Sequence, residues 1–318
     1  EPGRLQFARW LADRRSPLTA RVQVNRIWQA IFGTGLVETA EDFGSRARQP
    51  EHLELLDHLA VEFMEHRWSQ KWLLNQILTS KIYQQSSDTS LELLEKDPRN
   101  RFLARGPRFR AEAEVLRDMT LATAGLLSRE IGGPSFFPPV PESVLSFNFT
   151  FPKYWEPAKA PQRYRRSLYL FRKRTMPDPV MATFDAPSGD TACARRTRSN
   201  SPLAALVSLN EPVFVEAAQA LALRVLREAE ADEHARADYL FRLCTSRSAK
   251  PEERKEIVNL VTAQRPRLAD GWISISDITT GDQAGLPSLP PNTSPQDLAA
   301  WVIAARVVLN LDAALCKN

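Results

Sequence analysis

Glycine, histidine and cysteine are scarce in this chain, with 12, 4 and 3 examples in 318 residues. So little glycine leaves no G-x-G-x-x-G, no P-loop and no G-x-S-x-G elbow, which removes the common signatures of dinucleotide binding, nucleotide hydrolysis and serine esterase chemistry. The lone Gly33-Thr34-Gly35 follows a helical pattern rather than a strand and reads as a helix stop with a turn. Cys193, Cys244 and Cys316 are far apart and odd in number, so a fully paired disulfide set is excluded. Three unpaired thiols are the favoured reading, and one disulfide plus one thiol stays open. Without C-x-x-C-H there is no covalent haem, and no other cofactor is expected in this chain. His52, His58, His66 and His234 include no pair four apart, so H-E-x-x-H is missing and no metal site is expected.

Long apolar runs are also missing. The stretch 299–308 is short for a membrane helix and is interrupted by Arg306, so no transmembrane segment is expected. The sequence opens at Glu1 with no charged region leading into an apolar one, so no signal peptide is expected in it, and excision from a longer chain fits. Charge of one sign is sparse too. The 42 Lys and Arg against 38 Asp and Glu leave +4, too little to argue for nucleic acid, and no recognised nucleic-acid module is present.

What is present is the balance of a water-soluble globular protein, 43% apolar and 25% charged. Helix-start grammar recurs: Ser16-Pro17, Ser201-Pro202 and Ser294-Pro295 each precede a run with helical spacing, with Asp297 placed to complement the last start. Helices are expected over 4–13, 17–32, from Pro50 through Phe63, after Ser69, over 110–127, 203–209, from Pro212 to about 227, 234–244, 251–263 and from Pro295 onward. The stretch 136–161, dense in proline and aromatics, is expected to be an ordered loop, and 271–291 an exposed one. Residues 166–172 read as a strand, with Leu168 and Leu170 on one face and Tyr169 and Phe171 on the other. The expected fold is mainly α: a single multi-helix domain over 1–318 with a small β element around 165–172 and long ordered loops. Its parts are an N-terminal helical region (1–130), a loop and strand region (131–200) and a C-terminal helical region (201–318).

Two polar constellations rise above this background. Asp185 and Asp190 lead into Arg195, Arg196, Arg198 and Asn200, just before the helix start at Pro202. Guanidinium groups beside a helix N-terminus suit a sulfate, phosphate or carboxylate, with Arg196 and Arg198 as clamps and Asn200 as a neutral donor. The competing expectation, given more weight, is that these arginines pair with Asp185, Asp190 and other acids to pin a loop. The second set is Arg21, Asn25, Arg26 and Trp28 on one helix, able to bind a sugar or anion but more simply explained by ion pairs with Asp42 or Asp118. Arg166 completes the candidate ligand-binding residues. Carboxylates at Glu112, Glu114, Asp118, Asp185 and Asp190 are weak candidates for glycoside cleavage, because sequence spacing does not set carboxyl separation. No catalytic residue can be assigned.

Taken together, several stretches resemble the domain of unknown function 1553 family. They run in order from Ser16-Pro17-Leu18-Thr19-Ala20-Arg21-Val22-Gln23-Val24-Asn25-Arg26-Ile27-Trp28 through Phe32-Gly33-Thr34-Gly35 and Glu54-Leu55-Leu56-Asp57. The likeness continues at Arg117-Asp118, Gly132-Gly133-Pro134, Phe184-Asp185-Ala186-Pro187, Arg198-Ser199-Asn200-Ser201-Pro202 and Leu209-Asn210-Glu211-Pro212, and ends at Arg306-Val307-Val308-Leu309-Asn310. The turn 48–53 departs from the family's usual Pro-Ser-His-Pro-like residues, so anything bound there would be bound differently. The resemblance implies the C-terminal part of a large secreted planctomycete or verrucomicrobial protein. It implies an extracytoplasmic location, and a cytochrome c domain and a second uncharacterised domain as partners. It carries over no catalytic residues. Three functions follow as expectations: a non-catalytic module that docks a neighbouring domain or binds an anionic ligand such as a polysaccharide; an enzyme, hydrolytic or redox-coupled, using the Arg/Asp/Asn clusters; and a scaffold against a cytochrome domain, which would expose apolar surface.

Overall fold

The computed structural model describes residues 3–44, 47–140, 155–271, 273–280 and 287–317. Fourteen α-helices lie among the described residues, and the mainly α expectation holds. They are α1 (Arg4–Leu11), α2 (Pro17–Phe32), α3 (Leu53–Glu65), α4 (Gln70–Leu78), α5 (Leu91–Lys96), α6 (Ala113–Thr123), α7 (Pro179–Thr183), α8 (Pro202–Asn210), α9 (Pro212–Glu228), α10 (Glu233–Thr245), α11 (Pro251–Ala269), α12 (Ile275–Thr279), α13 (Pro295–Leu309) and α14 (Asp312–Leu315). A two-stranded ladder pairs β1 (Phe109–Arg110) with β2 (Cys316–Lys317).

The helix starts follow local chemistry. Ser69 Oγ accepts from the Trp72 amide at 3.2 Å, and Ser201 Oγ from the Ala204 amide at 3.3 Å. Ser294 and Asp297 close a capping box, with bonds of 3.1 and 3.2 Å. Each satisfies a backbone N–H that the helix itself leaves open. Gly33 ends α2 at φ 83°, a left-handed conformation that disfavours any side chain, and a Cβ there would lie 2.8 Å from the Phe109 ring.

The chain divides into two compact units. Unit 1 comprises Glu1–Phe109, Cys193–Arg195 and Lys317–Asn318. Its core joins Val24, Trp28 and Phe32 of α2 to Leu56 and Phe63 of α3 and Leu73 of α4. Trp28 stacks on Phe32 with ring centroids 4.2 Å apart. Full burial of each such side chain contributes about 1.5–3 kcal/mol.

Unit 2 comprises Arg110–Ala192 and Arg196–Cys316. Here α13 is buried around much of its circumference, from Leu298 through Trp301 to Val308. Ala299, Ala300, Ala304 and Ala305 let its neighbours α9 and α11 approach closely. A second cluster gathers Leu116, Phe136, Leu170, Met181, Phe184 and Phe214.

Several details differ from the sequence expectation: α5, α7 and α14 were not expected, and α6 spans Ala113–Thr123 rather than 110–127. Residues 166–172 do not form a strand. Ser167–Tyr169 is a 3-10 turn, and only isolated bridges at Arg165, Leu170 and Lys173 mark the segment as partly extended. The cause is Asp118, whose Oδ1 accepts from the Ser167 amide at 2.7 Å and holds the turn. Leu168 consequently points to solvent at 80% exposure while Leu170 is buried, so the two do not share a face. In the expected loop 271–291, α12 forms because Ser274 caps it and Ile278 is buried. Helix α11 continues past the expected end to Ala269 and carries Pro266 within it. Part of the aromatic loop, including Phe147, Phe149, Phe151 and Tyr154, lies outside the described residues. Of the rest, Phe137 meets Trp155 at 5.0 Å and Phe171 at 4.5 Å.

Candidate functional site

The arginine loop is held by glutamates more than by the aspartates nearest in sequence. In unit 2, Arg196 Nη1 lies 2.6 Å from Glu114 and 3.0 Å from Glu112, at the start of α6. Arg198 Nη2 is 3.5 Å from Glu112. Burial holds the Arg198 guanidinium below its ordinary value, opposed by Glu112 and reinforced by Arg110 and Arg196. Asp185 pairs with Arg110 at 2.5 Å and accepts from the Ser199 amide at 2.7 Å. Asp190 pairs with Arg174 at 2.6 Å, and Asn200 is exposed. Arg195, in unit 1, pairs with Glu41 at 2.9 Å. The start of α8 is capped by its own Ser201.

The set on α2 is divided among separate tasks. Arg21 Nε meets Asp57 at 2.6 Å. Asn25 is fully buried: its Nδ2 donates to the Val37 carbonyl at 3.1 Å and its Oδ1 accepts from the Val37 amide at 2.8 Å. Gly35 is required beside it, since a Cβ there would lie 2.6 Å from Asn25 Nδ2. Arg26 is exposed. Asp118 serves Ser167 in unit 2, and Arg166 is exposed. The structure therefore gathers Asp185, Arg196 and Arg198 into one network with Arg110, Glu112 and Glu114. Arg21, Asn25 and Arg26 belong to the other unit.

Sequence reasoning missed a polar cavity of about 20 Å³ in unit 2, lined by Arg117, Arg163, Asp178, Glu211, Glu216 and apolar residues that include Pro138 and Val180. That is room for a water-sized group. Arg117 projects from α6, almost fully buried. Its Nη1 donates to the Arg165 carbonyl at 2.9 Å and its Nη2 to the Arg163 carbonyl at 2.7 Å, with the Phe136 ring 5.3 Å away. Asp178 is the N-cap of α7, accepting from the Met181 amide at 2.9 Å. Glu211 is the N-cap of α9, accepting from the Val213 amide at 2.9 Å. Arg163 forms an ion pair with Glu216 Oε1, whereas Glu216 Oε2 is buried and finds no hydrogen-bond partner.

Burial dominates the electrostatics there. It pushes Glu211 up to about 7; the Val213 N–H opposes it, Asp178 adds to it, and Arg117 and Arg163 pull it back. Burial likewise raises Asp178, against the Met181 N–H and Arg117. It lowers Arg117, against Asp118, Asp178 and Glu211. Carboxyl groups arranged so can hold a proton near neutrality, a property of acid–base and ligand sites alike. A signal existed in the sequence: Asp178-Pro179 and Glu211-Pro212 are both acid–proline helix starts. Nothing local says that the two caps face one cavity.

These features define a mainly helical protein ordered by arginine–carboxylate networks. Among the described residues, no group of three His, Cys, Asp or Glu is arranged to hold a metal ion, and no helix is long and apolar enough to cross a membrane. The family model described as "Protein of unknown function (DUF1553)" matches residues 3–261, and the chain belongs to that family. Comparison with curated proteins and with solved structures found no match.

Proposed function

We propose that this chain is an extracytoplasmic docking module whose partner is a neighbouring protein domain, a cytochrome c-type or second uncharacterised domain of the kind the family resemblance implies. The observation that carries the reading is α1. None of its residues is buried, and Phe7, Trp10 and Leu11, which share one side of the helix, are 60%, 57% and 37% exposed, with Phe7 stacked on Trp10 at 5.9 Å. Clustered apolar exposure of this kind marks an interaction surface. Arg4 and Arg9 add positive charge without an acid in the helix, which favours a partner whose apolar face is ringed by carboxylates. An anionic polysaccharide at the arginine loop is the weaker reading, because Arg196 and Arg198 already face Glu112 and Glu114.

The test is photocrosslinking in cells from p-benzoylphenylalanine substituted at Trp10. The expected result is a crosslink to one protein domain that is lost when Phe7 and Leu11 are both replaced by serine, with circular dichroism and thermal midpoint unchanged. Crosslinks confined to lipid or to a second copy of the chain, or none above background, would overturn the reading.

A further inference from the structure

In unit 2 the segments 128–132 and 165–169 run side by side. Ser128 and Arg165 form a parallel bridge, and the Gly132 amide donates to Tyr169 Oη at 2.7 Å. One position past the bridge stand Arg129 and Arg166, and two positions further stand Ile131 and Leu168. The two segments thus carry the same arginine–x–aliphatic pattern in register. All four side chains are exposed, Ile131 and Leu168 at 80% each. A single bare aliphatic residue is ordinary on a surface, but two in register on neighbouring segments mark a contact. The base beneath them is fixed. Arg165 is buried; its Nη1 donates to the Pro134 carbonyl at 2.7 Å, its Nη2 donates to the Gly132 carbonyl, and its guanidinium lies 3.9 Å over the Tyr169 ring. Tips held on such a base lose little further freedom on binding. Positive charge is in excess, with three arginines against one glutamate across the two segments, and Glu130 accepts from Gln162 Nε2 at 3.1 Å. Neither Arg129 nor Arg166 forms an ion pair among the described residues. Their planar, forked donors suit phosphate.

We infer that Ile131 and Leu168, with Arg129 and Arg166 behind them, form a peripheral contact with a membrane surface that carries anionic phospholipid. Protein interfaces centre on aromatic anchors seated in pockets, which two bare aliphatic tips on loops do not resemble. A lipid surface needs no matching hollow: the tips enter among the acyl chains, while the arginines stay at the level of the phosphates. The contact is shallow and reversible, and its electrostatic part is screened by salt. It is separate from the exposed side of α1, which belongs to unit 1.

Flotation of the whole chain with vesicles of phosphatidylcholine, alone or mixed with phosphatidylglycerol, tests this at low and high salt. The expected outcome is binding to the mixed vesicles that is weaker by about tenfold or more on the neutral ones and in high salt. Ile131→Ser with Leu168→Ser should weaken binding to the mixed vesicles by about tenfold or more, and so should Arg129→Gln with Arg166→Gln. Phe7→Ser with Leu11→Ser, on α1, should leave it unchanged. All six of these residues are exposed, so circular dichroism and thermal midpoint should match the parent. No binding to either vesicle, equal binding to both, or parental binding by the unit 2 variants would overturn the assignment. Loss in the α1 variant alone would place the lipid on α1 and overturn it too. Capture on immobilised polyglutamate without binding to vesicles would give the surface to an acidic polypeptide instead.

Discussion

Replacement of Glu211 by glutamine should make the protein more stable at high pH, and the gain should grow with pH. Glutamine keeps an oxygen that can accept from the Val213 amide, so the cap of α9 survives in outline. What it removes is the cost of ionising a carboxyl group in this position. The unfolded value is 4.5 and the folded value is about 7, which corresponds to a penalty of about 3 kcal/mol on the charged folded state. The sign follows from proton binding. Between 4.5 and about 7 the folded protein holds a proton that the unfolded chain has lost, so rising pH favours unfolding across that window. Below it both states are protonated, and above it the loss is complete. Denaturant titrations of both proteins at pH 4, 5, 6, 7 and 8 read the effect directly. The stability difference, variant minus parent, should rise by about 3 kcal/mol across the series. Asp178 remains in both proteins and contributes its own slope to each. Parallel pH profiles for the two proteins would refute the burial argument, because then Glu211 would titrate as an ordinary surface carboxyl.

Asn25→Leu should destabilise unit 1 by about 2–4 kcal/mol, since it leaves both the amide and the carbonyl of Val37 unsatisfied in a buried position; a denaturant midpoint unchanged from the parent would contradict that account. Cys244, its thiol pushed up to about 12 by burial, should resist alkylation by iodoacetamide in the folded protein at pH 8, whereas exposed Cys193 reacts. Peptide mass spectrometry after timed quenching separates the two, and equal rates would show that the packing around Cys244 does not shield it.

The helices and their limits were largely legible because capping is local. The hydroxyls of Ser69, Ser201 and Ser294 reach an amide three residues away, and Pro17 presets the backbone after Ser16, whose own side chain makes no such bond, so all four could be read as starts without knowledge of the fold. The strand expected at 166–172 shows where such reading fails. Alternating apolar residues were consistent with a strand, but Asp118, 49 residues earlier, captures the Ser167 amide and turns the chain. The exposed apolar side of α1 could be read only by half. The spacing over 4–13 predicts a helix, but it does not say that Phe7, Trp10 and Leu11 stay exposed.

By itself the sequence determined the mainly helical class, the absence of a covalent haem motif, and the family, whose motifs recur in order along the chain. Only tertiary structure decided which acids the arginines meet. Arg196 lies close in sequence to Asp190 yet pairs with Glu112 and Glu114, because the path of the backbone sets the distance between charges. It alone brought Arg117, Arg163, Asp178, Glu211 and Glu216 around one cavity, and it alone withdrew water from Glu211 far enough to move its proton affinity toward neutrality. Ion pairing and desolvation depend on what surrounds a group in three dimensions, which residue type and spacing do not specify.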